Sequence, residues 1–321
     1  MSPFRPSALL IGSRKLTLLA GWMLGICTSG CGGGEATLPP LGDEPIGTRA
    51  VTLGDGSTLR VPDQAQRILP ATSAAVDLLA DLDLHDRVVA IPLAAFSWSV
   101  AAREPERWSE HTVLNALEGE AILALKPDLI IAAPWSYQGP LWVARSVNIP
   151  VLPLPDAKSW AEVEAGIALA GEALGVPERA QALMENLAAR RLALKDADRP
   201  SRRMVVYSNF GAGGHTSGTG TTLDLVLTLA GMENAVDRKG HCELSLEEIL
   251  SLNPEVFLTS TGRDMVSPGA EFLRGEPILS HLEAVEKGRI IVLPAEIFSA
   301  SSHRILDAAE EVARRVDLLF N

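Results

Sequence analysis

Apolar positions along this chain recur with two periods. Short apolar runs, such as 129–133 and the centre of 255–259, read as buried strands. Stretches with apolar residues three and four apart read as helices. The clearest pattern occurs twice. Residues 119–134 read GEAILALKPDLIIAAP, and residues 246–261 read LEEILSLNPEVFLTST. Overlaid without gaps, Glu120 falls on Glu247, Ile122 on Ile249, Leu123 on Leu250, Leu125 on Leu252 and Pro127 on Pro254. Each copy predicts a short amphipathic helix with a glutamate in its first turn, a stop at proline, and then a strand.

The rest of the chain follows the same alternation. Residues 48–61 alternate about Gly54-Asp55-Gly56, which predicts a hairpin. Strands are expected at 67–70, 88–91, 151–154, 204–208 and 289–293. Helices are expected from Thr72 or Ser73 to about Leu82, and at 140–147, 160–175, 221–230, 277–286 and 302–320. Residues 92–117 have no strong period and read as a long loop, or a loop with a short helix. Pro177 opens the longest helical pattern, to about Ala197, with Ala180, Leu183, Met184, Leu187 and Leu194 on one face. At about 1.5 Å per residue it spans roughly 30 Å, enough to act as a strut. Ser245 and Glu248 have the spacing of a capping box. The pattern predicts an α/β fold of two Rossmann-like lobes, each a central sheet flanked by helices, joined by one long helix. The expected boundaries are 48–176 for the first lobe, 177–200 for the connecting helix and 201–321 for the second lobe.

Length and charge narrow the picture. A chain of 321 residues is ample for two such lobes. The formal charge of -12 argues against nucleic acid as a partner and suits a monomer. Arg5, Arg14 and Lys15 make a basic region ahead of an apolar stretch, 16–26, that is too short for a stable membrane span. Thr28-Ser29-Gly30 then precede Cys31. Residues 1–30 therefore read as a signal peptide. The small residues before Cys31 resemble a bacterial lipoprotein signal, with lipid on that sulfur. An ordinary secretory signal is the alternative. Residues 31–47, rich in glycine, proline and acid, read as a flexible tether from a membrane anchor. Of the three cysteines, Cys27, Cys31 and Cys242, only Cys242 would then remain free, so no intrachain disulfide is expected.

Few motifs carry chemistry. Residues 211–220, GAGGHTSGTG, lack the lysine of a phosphate loop and the third glycine of a dinucleotide fingerprint. They form either a wide turn alone or a turn that also touches ligand. The six histidines show no metal-ligand spacing on one helix. His215 and His303 fall in loops or at helix starts, where either can reach a cleft. Trp98, Trp135, Tyr137, Phe210 and Phe298 follow expected strands, where α/β sheets bind ligands. Phe96 and Arg304 complete the set of candidate ligand-binding residues, with His215 among them. Trp108 and Trp142 are equally compatible with the core.

The segments RILPATSAAVDLLADLDLHDRVVAI (67–91), ILALKPDLII (122–131), GTGTTLDLVLTLAGMENAV (218–236) and SLEEILSLNPEVFLTS (245–260) occur in one order. Together they resemble the periplasmic substrate-binding proteins of ABC importers for cobalamin, iron–siderophores and haem. That resemblance implies two lobes joined by a rigid helix, a ligand bound between them and left unchanged, no enzymatic activity and no cofactor. It implies that Glu120 and Glu247 form salt bridges to arginines of the membrane permease. In cobalamin binders an aromatic residue commonly precedes the Thr-Ser-Gly of the second-lobe loop. Here His215 precedes Thr216-Ser217-Gly218. An iron–siderophore complex is therefore the expected ligand, with cobalamin or haem as alternatives. A two-lobed metal chelatase is the rival from another class, and requires His215 or His303 to face a carboxylate across the cleft.

Overall fold

The computed structural model describes residues 47–209, 214–261 and 266–321. The signal segment, most of the tether, Cys31 and Phe210 lie outside the described residues. Strands β1 (Thr48–Thr52) and β2 (Thr58–Pro62) form the expected antiparallel hairpin, whose turn is closed by Asp55 accepting from the Ser57 N–H and hydroxyl. There follow β3 (Ile68–Pro70), α1 (Ser73–Asp81), β4 (Ala90–Pro92), α2 (Ala95–Trp98), β5 (Thr112–Leu114), α3 (Gly119–Leu125), β6 (Leu129–Ala132), α4 (Gln138–Ser146), β7 (Val151–Pro153) and α5 (Trp160–Leu174). Thr72 caps α1 by accepting from the Ala75 N–H. Strands β3, β6 and β7 are parallel neighbours, and β4 with β5 continues beyond β3 through a bridge between Ile68 and Val88. The resulting order, β5-β4-β3-β6-β7, reverses between β3 and β6, as in Rossmann-type sheets.

Helix α6 (Pro177–Asp196) has 20 residues and packs on α5. Ala180 and Leu187 are buried, and Leu183, Met184 and Leu194 are half-buried against the core, so one stripe holds the helix down. The second half contains β8 (Arg203–Val206), β9 (Ser208–Asn209), β10 (Gly214–Ser217), α7 (Thr222–Leu229), β11 (Glu233–Asn234), β12 (His241–Leu244), α8 (Leu246–Leu252), β13 (Val256–Ser260), α9 (Pro268–Gly275), α10 (Glu283–Glu286), β14 (Ile290–Leu293), α11 (Ala295–Phe298) and α12 (Ile305–Phe320). Its main sheet is parallel, in the order β11-β8-β13-β14, and a small antiparallel sheet runs β12-β10-β9. No helix of the described residues is long and apolar enough to cross a membrane.

The duplicated stretch forms a seven-residue helix, a proline turn and a parallel strand in both halves, with a capping box only on the second copy. Helices α3 and α8 each bury their isoleucine completely, Ile122 and Ile249. Each ends in a left-handed residue other than glycine, Lys126 (φ 48°) and Asn253 (φ 41°), immediately before the proline. The match extends beyond the sequence motif. Arg67 donates to the Leu125 and Lys126 carbonyls, and Arg203 donates to the Leu252 carbonyl. The residue after each proline supplies a carboxylate to the neighbouring strand. Asp128 accepts from the Gln66 and Arg67 N–H groups, and Glu255 accepts from the Arg203 N–H. Helix end, turn and first strand are thus clasped by the same three groups in both halves.

Several expectations change. Residues 92–117 hold α2, two 3-10 turns and β5, and Trp108 is fully buried there. Much of the glycine-rich stretch is a strand, β10. A side chain at Gly214 would strike the Tyr207 ring, and one at Gly218 the Arg238 carbonyl, so close packing explains these two glycines. Helix α9 has no counterpart in the sequence reading. Residues 277–281 form a 3-10 turn before α10, and the terminal helix starts at Ile305 because 302–304 are drawn toward α1.

Ile122→Ala and Ile249→Ala are each expected to cost about 2–5 kcal/mol, the usual penalty for emptying a closed core site. Urea unfolding of the two variants measures it.

Candidate functional site

In the first sheet the strand order reverses between β3 and β6, so the crevice beyond their carboxyl ends is where a ligand is sought. The chain leaves β6 through a tight turn. Ser136 is buried, its hydroxyl accepts from the Ala133 N–H at 3.0 Å, and its own N–H donates to the Ala133 carbonyl at 2.9 Å. Pro134 suits the second position of such a turn. The turn throws its aromatic residues outward: Trp135 is 51% exposed and Tyr137 77%. Trp135 and Ala133 line a narrow hollow together with Leu154 and Pro155 after β7, Ala74 and Leu78 of α1, and Ser301, Ser302 and His303 of the second half. The hollow is therefore built from both halves, and its walls are mostly apolar.

Behind it the halves are joined by a polar seam. Asp77 is buried. Its carboxylate accepts from the Val100 N–H at 2.7 Å and the Ser302 hydroxyl at 2.8 Å. Burial pushes the Asp77 carboxyl up, against those hydrogen bonds. Asp81 Oδ2 lies 2.5 Å from His303 Nε2, and Asp81 Oδ1 accepts from Arg304 at 2.7 Å. Burial raises the Asp81 carboxyl too, but His303 and Arg304 outweigh it and hold the group below its ordinary value. Arg304 also donates to Asp307 at 3.1 Å. Asp307 pairs further with Arg190 of α6 at 2.7 Å and with Arg103 at 3.5 Å. Arg190 in turn holds Glu310 at 2.6 Å. Burial notwithstanding, the three guanidinium groups keep the Asp307 carboxyl low.

The expected site residues divide into groups. Trp135 lines the inter-half hollow, and Tyr137 stands at the same turn. Phe96 and Trp98 are half-buried on α2, which packs on α11, where Phe298 is buried. Those three mark a contact between the halves. His215 lies on β10 beside a second, open hollow with Tyr207, Arg238, Glu248 and Phe272. Arg304 is engaged by three carboxylates of the seam. Glu120 and Glu247 are exposed, and among the described residues neither forms an ion pair. Trp142 is 69% exposed and is not core. Sequence reasoning missed the seam. Its signal was present: Asp77 and Asp81 stand one turn apart in an otherwise apolar helix, SAAVDLLAD.

The sequence profile described as "Periplasmic binding protein" matches residues 70–297. This chain belongs to that family. An uncharacterized ABC transporter substrate-binding lipoprotein of Bacillus subtilis, YvrC, is 23% identical over 313 residues, covering 93% of this chain and 94% of that protein. A vitamin B12-binding protein of Yersinia pseudotuberculosis is 27% identical over 285 residues, covering 86% of this chain and 95% of that protein. Among solved structures, the haem-binding protein HutB of Vibrio cholerae has a TM-score of 0.69 at 20% identity, covering 80% of this chain and 99% of that one. This periplasmic binding protein is a substrate-binding protein of an ABC importer and works outside the cytoplasm. It is not an enzyme. The chelatase reading required a histidine facing a carboxylate across the cleft. His303 and Asp81 do meet between the halves, but both Asp81 oxygens are occupied, by His303 and Arg304. Among the described residues no three His, Cys, Asp or Glu side chains are grouped to hold a metal ion.

The seam has a pH signature. Asp307 titrates lower folded than its unfolded value of about 3.9, so its contribution is complete above that pH and is lost as pH falls through the folded value. Asp307→Asn is expected to lower stability at pH 7 by about 1–3 kcal/mol. It should also flatten the fall in urea midpoint below about pH 4.

Proposed function

We propose that this periplasmic binding protein captures a bulky, flat metal chelate and hands it to its permease, the first candidate being a cobalt corrinoid. The observation that carries this reading is the mostly apolar hollow between the halves, lined by Trp135, with Tyr137 exposed at the same turn. Exposed rings gain most from a large, weakly hydrated face laid against them. The match to vitamin B12-binding proteins over most of the chain supports the same ligand. The expectation of an iron–siderophore rested on His215. That residue lines the second hollow rather than the Trp135 rim, so its departure from an aromatic weighs less against a corrinoid. An iron–siderophore complex or haem is the rival that experiment must separate. Glu120 and Glu247, exposed at matching positions of duplicated helices, are proposed to pair with permease arginines. Cys31 is proposed to carry the lipid that keeps the protein at the membrane.

Thermal unfolding with cobalamin, haem and ferric siderophores tests the ligand. A ligand at a hundredfold its Kd adds about 2.7 kcal/mol of stability. Cobalamin is expected to give the largest shift, and Trp135→Ala to weaken its binding about tenfold. A shift with a ferric siderophore and none with cobalamin sinks the corrinoid assignment.

Charge reversal tests the docking residues. The double variant Glu120→Lys, Glu247→Lys should bind ligand normally and fail to support uptake by whole cells. Normal uptake by that variant removes the docking role.

A further inference from the structure

Asp77 and Asp81 lie one helical turn apart and present both carboxylates to the second half. Ser302, His303 and Arg304 are consecutive and meet them in register, Ser302 on Asp77, His303 and Arg304 on Asp81. Ser302 and His303 also line the inter-half hollow, and both are buried. We propose that Asp81, Ser302 and His303 are positioning residues for ligand binding. They set the angle between the halves, and through it the gap between Trp135 and the floor at 301–303. The inference rests on the reading that ligand binds between the halves.

The physical argument is one of direction. The apolar contacts between the halves, α2 on α11 and a buried cluster that both halves share, with Leu78, Phe298 and Leu306 among its members, attract without direction. Hydrogen bonds to carboxylates are directional. The Asp77 carboxylate takes one donor from each side of the seam, the Val100 N–H and the Ser302 hydroxyl, so a shift of either half strips a buried acceptor. An ionised Asp81 only accepts, which fixes His303 as donor through Nε2 and orients its ring beside the hollow. Arg304 then carries the register to Asp307, and Arg190 carries it to the long helix. A buried network of this kind selects one arrangement among several of similar packing energy.

Spin labels test the idea. Labels go on Arg145→Cys in α4 and Ser251→Cys in α8, both exposed, in the full chain with Cys27, Cys31 and Cys242 changed to Ser. Double electron–electron resonance then reads the distance between the halves. The parent should give one narrow distribution. The double variant Asp81→Asn, His303→Gln, folded by circular dichroism, should give a broad or displaced one. It should also bind aquocobalamin about tenfold more weakly, mainly through slower association, as expected if the competent arrangement falls to about a tenth of the population. Val51→Ala in β1 is the control, since it empties a buried site away from the seam and from both labelled helices. An unchanged distribution in the double variant overturns the proposal, and so does equal broadening in Val51→Ala. If the parent binds no aquocobalamin, the corrinoid reading fails, and the distance measurement still decides the seam.

Discussion

Asp307 receives guanidinium groups from Arg103 in the first half, Arg190 in the long helix and Arg304 in the second half. Every large body of the protein is fastened to this one carboxylate. Taking so many charges partly out of water is costly, and the Coulomb gain offsets that cost only where geometry is good and each group has a partner. Here Asp81 and Glu310 balance the outer cations, and burial is partial on the α6 side. Each sheet has one core of its own, and both share a third buried cluster that includes Ile131 and Leu152 of the first and Leu258 and Leu293 of the second. That shared cluster holds the halves together without direction, and the polar junction adds directional bonds across it.

The halves themselves were largely legible in the chain. The repeat at Glu120 and Glu247 announced itself because helix period, proline stop and apolar strand are all local signals. The capping box at Ser245 and the start of α6 at Pro177 were legible for the same reason. The clasp that completes the repeat was not, because Arg67 and Asp128 are distant in sequence and only the parallel pairing of β3 with β6 brings them together. Residues 92–117 resisted for another reason. Their turns are held by contacts such as Asp77 with the Val100 N–H rather than by any period of their own.

Of the aromatic residues sought after strand ends, Trp135 lines the hollow between the halves, where parallel sheets deliver their carboxyl ends to one side. Which rings face which hollow depends on single turns. The Ser136 hydroxyl turns Trp135 and Tyr137 outward, while Trp108 packs inside and Trp142 stands in solvent. His303 carried no local sign that it would be buried. Its environment is set by Asp81, more than two hundred residues earlier in the chain.

The duplicated helices α3 and α8 have one more consequence. Each is clasped at its end by an arginine and held down by a buried isoleucine, so Glu120 and Glu247 are fixed with respect to their own sheets. Their separation then follows the arrangement of the two sheets and little else. The two surface carboxylates work as the points of a calliper. Any partner that touches both measures, from outside, how the interior between them is set.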